Sequence, residues 1–177
     1  MIFLSYAIET EAQAPFWVQQ LRAVEKQANT SLLLYVTGTR PSEEVLVALR
    51  QRPASQLLPA QLAQLGLPQF VRPLQERTPD SILSEFLRRS DSMEFRVLWD
   101  LFVLSRSSAL VADLNTPSCR GGVELALASG CIPVIGVNDS LQLDPYAGLL
   151  VDVLVRSGSK NSASAVWNCL KSMETSL

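Results

Sequence analysis

Two carboxylates, Asp100 and Glu124, stand 24 positions apart in a mostly apolar part of a 177-residue chain. Between them lie an apolar run, Ala109-Leu110-Val111-Ala112, that closes on Asp113, and a polar loop, Asn115-Thr116-Pro117-Ser118. A glycine pair follows, Gly121 and Gly122, and Glu124 then opens an alanine-rich helix. Glycine lets a ligand approach the backbone, and the N–H groups at a helix start attract anions. The helix dipole there favours an ionised Glu124. An ionised carboxylate beside a sugar can attack the anomeric carbon or stabilise an oxocarbenium-like transition state. The same dipole draws acids into the first turn of helices that catalyse nothing, so position alone leaves both readings open.

The neighbouring side chains divide in the same way. Asp100 sits on a helix next to Trp99 and two residues before Phe102. A carboxylate on so apolar a helix needs a partner or a cleft. It either orients a ribose hydroxyl, shares a proton with a second acid, or lies on a solvated face. Asp113 caps the next turn or contacts a ligand at the sheet edge, and Asn115 lies in the loop that follows. Ser118 hydrogen-bonds a phosphate or sugar, or caps the helix. Arg120 pairs with a ligand phosphate or stays on the surface. Cys119 reads as packing, although a helix start can lower a thiol pKa. Ser5, Tyr6 and Glu9 follow the first apolar stretch and belong to the same sheet edge, where Tyr6 flanks a base or contacts the catalytic acid.

The elements that must position these groups alternate. Ile2-Phe3-Leu4 predicts a short strand, and Pro15 a helix start with the stripe Phe16, Val18, Leu21, Val24 and Ala28. Ser31 to Val36 reads as a buried strand, Gly38 as a turn, and Pro41-Ser42-Glu43-Glu44 as a helix start. Five prolines and frequent glutamine make about 52–80 an irregular insertion, with a short helix near Pro59 to Leu65 and a strand near Phe70-Val71. Helices are expected at Asp80 to Arg89 and Asp91 to Ser105. After the central unit come strands at Ile132 to Val137 and Leu149 to Val155, then a helix from Ser162 to Met173. Strands alternating with helices predict an α/β domain with a mostly parallel sheet and right-handed crossovers. Ligands of such sheets bind at the carboxyl ends of the strands.

Composition narrows the chemistry. The length fits one domain, residues 1–177, with no internal repeat. The chain has no histidine, which excludes histidine triads and histidine-ligated metals, and no C-x-x-C pair offers zinc a site. Three scattered cysteines argue against a disulfide framework and for a reducing cytoplasm. A net charge of -2 makes nucleic acid a poor partner. No apolar run reaches the roughly 20 residues of a membrane helix, and the N-terminus lacks the pattern of a signal peptide. A soluble intracellular protein is expected.

At Asp100, Ala109 to Asp113, Pro117 to Glu124 and Cys131 to Gly136, the chain resembles the nucleoside 2-deoxyribosyltransferase superfamily, including its deoxynucleoside-monophosphate N-glycosidase branch. In that family an aspartate precedes the strand and a glycine-rich loop leads into a catalytic glutamate. The aspartate-to-glutamate interval and the serine six positions before the glutamate are similar to the hydrolase branch. The resemblance implies a flavodoxin/Rossmann-like three-layer sandwich. It implies Glu124 as nucleophile and Asp100 as the group that orients the sugar or helps protonate the leaving base. Ser118 and Gly122 would line the phosphate or 5′-hydroxyl pocket, and Tyr6 the base pocket. It further implies a nucleoside or nucleotide as partner, a homodimer or larger homo-oligomer, and no metal or organic cofactor. Arg120 stands where relatives usually have glycine, and Glu9 where the monophosphate hydrolases tend to have arginine. The same superfold houses nucleotide-sensing domains, so a non-catalytic nucleotide-binding or signalling domain is the alternative.

Overall fold

The computed structural model describes residues 1–5, 16–27, 33–39, 41–89, 92–115, 119–138, 145–156 and 162–174. Five strands form one all-parallel sheet: β1 (Ile2–Ser5), β2 (Leu34–Val36), β3 (Ala109–Asp113), β4 (Val134–Val137) and β5 (Val153–Val155). Their order is β2-β1-β3-β4-β5. This is the flavodoxin-like doubly wound order, whose topological switch point lies between β1 and β3.

Period-two alternation explains why these strands read as unbroken apolar runs. Phe3, Tyr35, Leu110, Ala112 and Val134 face one core, while Ile2, Leu34, Val111, Ile135 and Val155 face another. Helix α1 (Phe16–Gln27) and the C-terminal helix, numbered α9 (Ser162–Glu174), cover the second face through Val18, Leu21, Val166 and Leu170. The first face carries α2 (Glu43–Gln51), α3 (Leu57–Gln64), α4 (Pro68–Glu76), α5 (Pro79–Arg88), α6 (Met93–Leu104) and α7 (Cys119–Ala128). A short helix, α8 (Pro145–Leu149), leads toward β5. The α/β three-layer expectation therefore holds. No helix among the described residues is long and apolar enough to cross a membrane.

Three local expectations are corrected. Phe70 and Val71 lie in α4, not in a strand. Pro68 occupies the first turn of that helix, where its missing N–H is no loss, and Leu74, four residues after Phe70, is fully buried. Leu149 ends α8, and β5 starts only at Val153. Helix α7 starts at Cys119, so the glycine pair lies inside it and Glu124 falls in its second turn. Nothing lies within 4 Å of a Cβ built at Gly122, and burial of Leu125, Leu127 and Ala128 offsets the helix cost of about 1 kcal/mol per glycine.

Gly136 in β4 is closely approached by side chains. A Cβ there would stand 2.7 Å from Leu114 Cδ1 and 2.9 Å from Val151 Cγ1. Gly136→Ala is expected to cost about 1–3 kcal/mol, read as a lower denaturation midpoint at unchanged m-value. The cost should shrink in a Leu114→Ala background, where the tighter contact is gone. Equal costs in both backgrounds would locate the strain elsewhere.

Candidate functional site

The β2 strand ends in a tight turn, Val36 to Thr39. The Thr39 N–H donates to the Val36 carbonyl at 3.1 Å, and the Thr39 hydroxyl donates to the same oxygen at 2.7 Å. Gly38 holds φ at +71°, the left-handed value that a type II turn requires at its third position. The turn presents three donors toward the helices above it: the Tyr35 hydroxyl just before it, the Thr37 hydroxyl and the Gly38 N–H.

Helix α6 meets two of them. It is buried on most of its circumference, and Trp99 stacks on Phe86 at 5.6 Å and on Phe102 at 6.1 Å between ring centroids. Asp100 shares this environment at 6% exposure. Its Oδ1 accepts the Tyr35 hydroxyl at 2.7 Å and the Gly38 N–H at 3.0 Å. The Thr39 carbonyl lies farther from the Tyr35 oxygen, at 3.3 Å, so the carboxylate is the better acceptor for the single phenolic proton. Burial, then the negative charge of Asp100 and its hydrogen bond, hold the Tyr35 pKa well above the ordinary tyrosine value; Glu124 adds in the same sense. The Trp99 N–H acts in the opposite sense, as a nearby donor does, yet it stops short of hydrogen-bond geometry and has no hydrogen-bond partner among the described residues.

Helix α7 meets the third donor. Glu124 is 5% exposed, and its Oε1 accepts a short hydrogen bond from the Thr37 hydroxyl, itself buried. Two acids on different helices are thus held by residues 35–38 at the carboxyl edge of the sheet. Such an arrangement presents oriented carboxylates, the equipment of acid–base or nucleophilic catalysis.

The remaining residues singled out by sequence fall into three groups. Asp113 ends β3 and accepts the Asn115 N–H at 2.9 Å and its Nδ2 at 2.8 Å, so these two engage each other in a local turn. Ser5 ends β1 and pairs with Ala112. Arg120, Gly121 and Gly122 belong to the first turns of α7. Tyr6, Glu9 and Ser118 lie outside the described residues. A cavity of about 250 Å³ lies against β2, lined by Arg22, Tyr35, Thr39 and Ser42 among others, and neither acid is among its walls. Among the described residues no cluster of His, Cys, Asp or Glu is arranged to hold a metal ion.

Tyr35, Thr37 and Gly38 were not among the residues singled out by sequence. Their signal was faint but present: hydroxyl side chains at alternate positions where an apolar strand meets glycine, at the edge where ligands bind.

The raised Tyr35 pKa makes a signed forecast. Above about pH 10 the unfolded chain releases the phenolic proton while the folded protein retains it, so stability falls as pH rises. Tyr35→Phe should lower Tm at neutral pH, by the equivalent of about 1–3 kcal/mol, because Asp100 loses a buried donor. Its further loss of Tm between about pH 9 and pH 11 should be smaller than that of wild type. Thermal melts followed by circular dichroism measure both; parallel alkaline limbs would refute the Tyr35 assignment.

Comparison with protein-family models, curated proteins and solved structures finds no match to this chain.

Proposed function

We propose that the protein cleaves or transfers the N-glycosidic bond of a nucleoside or nucleotide. Glu124 attacks C1′ of the ribose or deoxyribose, the C1′–N bond breaks, and its electron pair leaves with the base. Asp100 orients the sugar or helps to protonate that base. Water, or a second base, then attacks C1′ and releases Glu124. One observation carries this reading: both acids of the sequence pattern are buried and held by a single turn at the carboxyl edge of a parallel sheet. A solvated helix face, the bland alternative for Asp100, does not fit that burial.

The family resemblance supplies the finer assignments. Ser118 and Gly122 receive the 5′-hydroxyl or phosphate, and Tyr6 stands beside the base; apart from the resemblance, Ser5, Asp113, Asn115, Arg120 and Gly121 border the same edge as substrate-binding residues. No cofactor takes part in these steps. The enzyme works in a reducing cytoplasm, and a second copy of the chain completes the assembly.

Incubation with a panel of nucleosides and their 5′-monophosphates, with free base separated chromatographically, tests the reaction. Wild type should release base, and Glu124→Ala should release it on the order of 10³-fold more slowly. Asp100→Asn should also be slowed, by about 10²-fold. Binding of a nucleotide with no base released by either protein would favour the sensor reading. Equal release by wild type and Glu124→Ala would remove Glu124 from the chemistry.

A further inference from the structure

The geometry points to Thr37 as the positioning residue for Glu124, within a turn that sets the two acids relative to one another. This role rests on the glycosidic reading of the site and adds to it a residue that neither the sequence pattern nor the family resemblance picked out.

Three observations converge on it. Tyr35 and Thr37 are two residues apart at the end of a strand, so their side chains leave the backbone on the same side. That side is the one on which α6 and α7 pack. Tyr35 accordingly reaches Asp100 and Thr37 reaches Glu124, across 65 and 87 positions of sequence. Next, the mount is stiff. The turn is closed by two hydrogen bonds to the Val36 carbonyl, Gly38 holds its special φ, and the β-branched Thr37 has few rotamers. Finally, Thr37 is 1% exposed and its hydroxyl engages the carboxylate directly. The hydrogen bond restrains the terminal torsion of Glu124, and the adjacent Gly38 N–H does the same for Asp100. A shift of the turn therefore moves both acids together.

The role of Thr37 separates from mere packing by two measurements. Thr37→Val keeps the shape and removes the hydroxyl, Thr37→Ser keeps the hydroxyl, and Thr37→Ala serves should the valine variant not fold. In the base-release assay, Thr37→Val should lower kcat by about 10- to 100-fold with KM within about twofold of wild type, and Thr37→Ser should recover most of the loss. In thermal melts, the Tm losses of Thr37→Val and Glu124→Gln should not add, the double variant losing less than their sum. Additive losses would remove the tether. Non-additive losses with unchanged kcat, or a rise in KM alone, would leave Thr37 a structural or substrate-contacting residue and overturn the positioning role. If wild type releases no base from any substrate, the glycosidic reading fails and the catalytic role of Thr37 with it, whereas the melts still decide the tether.

Discussion

A carboxylate taken out of water costs several kcal/mol unless polar groups in the fold replace its hydration. Among the described residues two are buried, Asp100 and Glu124, on helices whose buried positions are otherwise mostly apolar. Much of the architecture around the carboxyl edge follows from how that demand is met. The donors come from β2 and its turn, the edge of the sheet, and they act at alternate positions because the strand period is two. The turn delivers them only because Gly38 adopts a positive φ, which lets the Gly38 peptide present its N–H to Asp100.

The winding of the sheet brings the acids to those donors. From β1 the chain reaches β2 through α1 on one face; it returns to β3 through α2 to α6 on the other. Reversing direction along the sheet requires changing face when the crossover hand is fixed. Asp100 lies in the last helix before β3 and Glu124 in the first helix after it. Both therefore sit on one face, beside the switch point, and both overlook the loop that leaves β2. Leu114 and Val151 close over Gly136 in β4.

The layered sheet was legible because buried parallel strands and amphipathic helices leave strong periodic signatures, from Ala109 to Ala112 and from Phe95 to Phe102. Residues 52–80 are legible only in part: the short helix near Pro59 is expected and found as α3, whereas the prolines around Phe70 suggest a break where α4 runs. Pro59, Pro68 and Pro79 each stand in the first turn of a helix, where proline starts rather than stops one. Glu124 is visible as an acid after glycines, but glycine is a poor helix former, so the sequence carries no signal that α7 already starts at Cys119. Asp100 was visible only as an anomaly on an apolar helix. The partners were hidden for a different reason. Tyr35 reads as one more bulky residue in a buried strand, and no local rule connects a strand-end hydroxyl to a carboxylate 65 residues later. Long-range polar satisfaction is a property of the fold, not of any window of sequence.

The same network restricts which groups can move protons. A general acid or base works best when its pKa lies near the working pH. Tyr35 fails that condition, since burial and the adjacent Asp100 push its pKa far upward. It remains a hydroxyl donor through the whole range in which the folded chain operates. The chain has no histidine, and among the described residues the carboxyl groups of Asp100 and Glu124 meet the turn. Asp100 faces two donors of this segment, the Tyr35 hydroxyl and the Gly38 N–H, and Glu124 faces the Thr37 hydroxyl, so groups of one short stretch of chain replace hydration for both carboxylates.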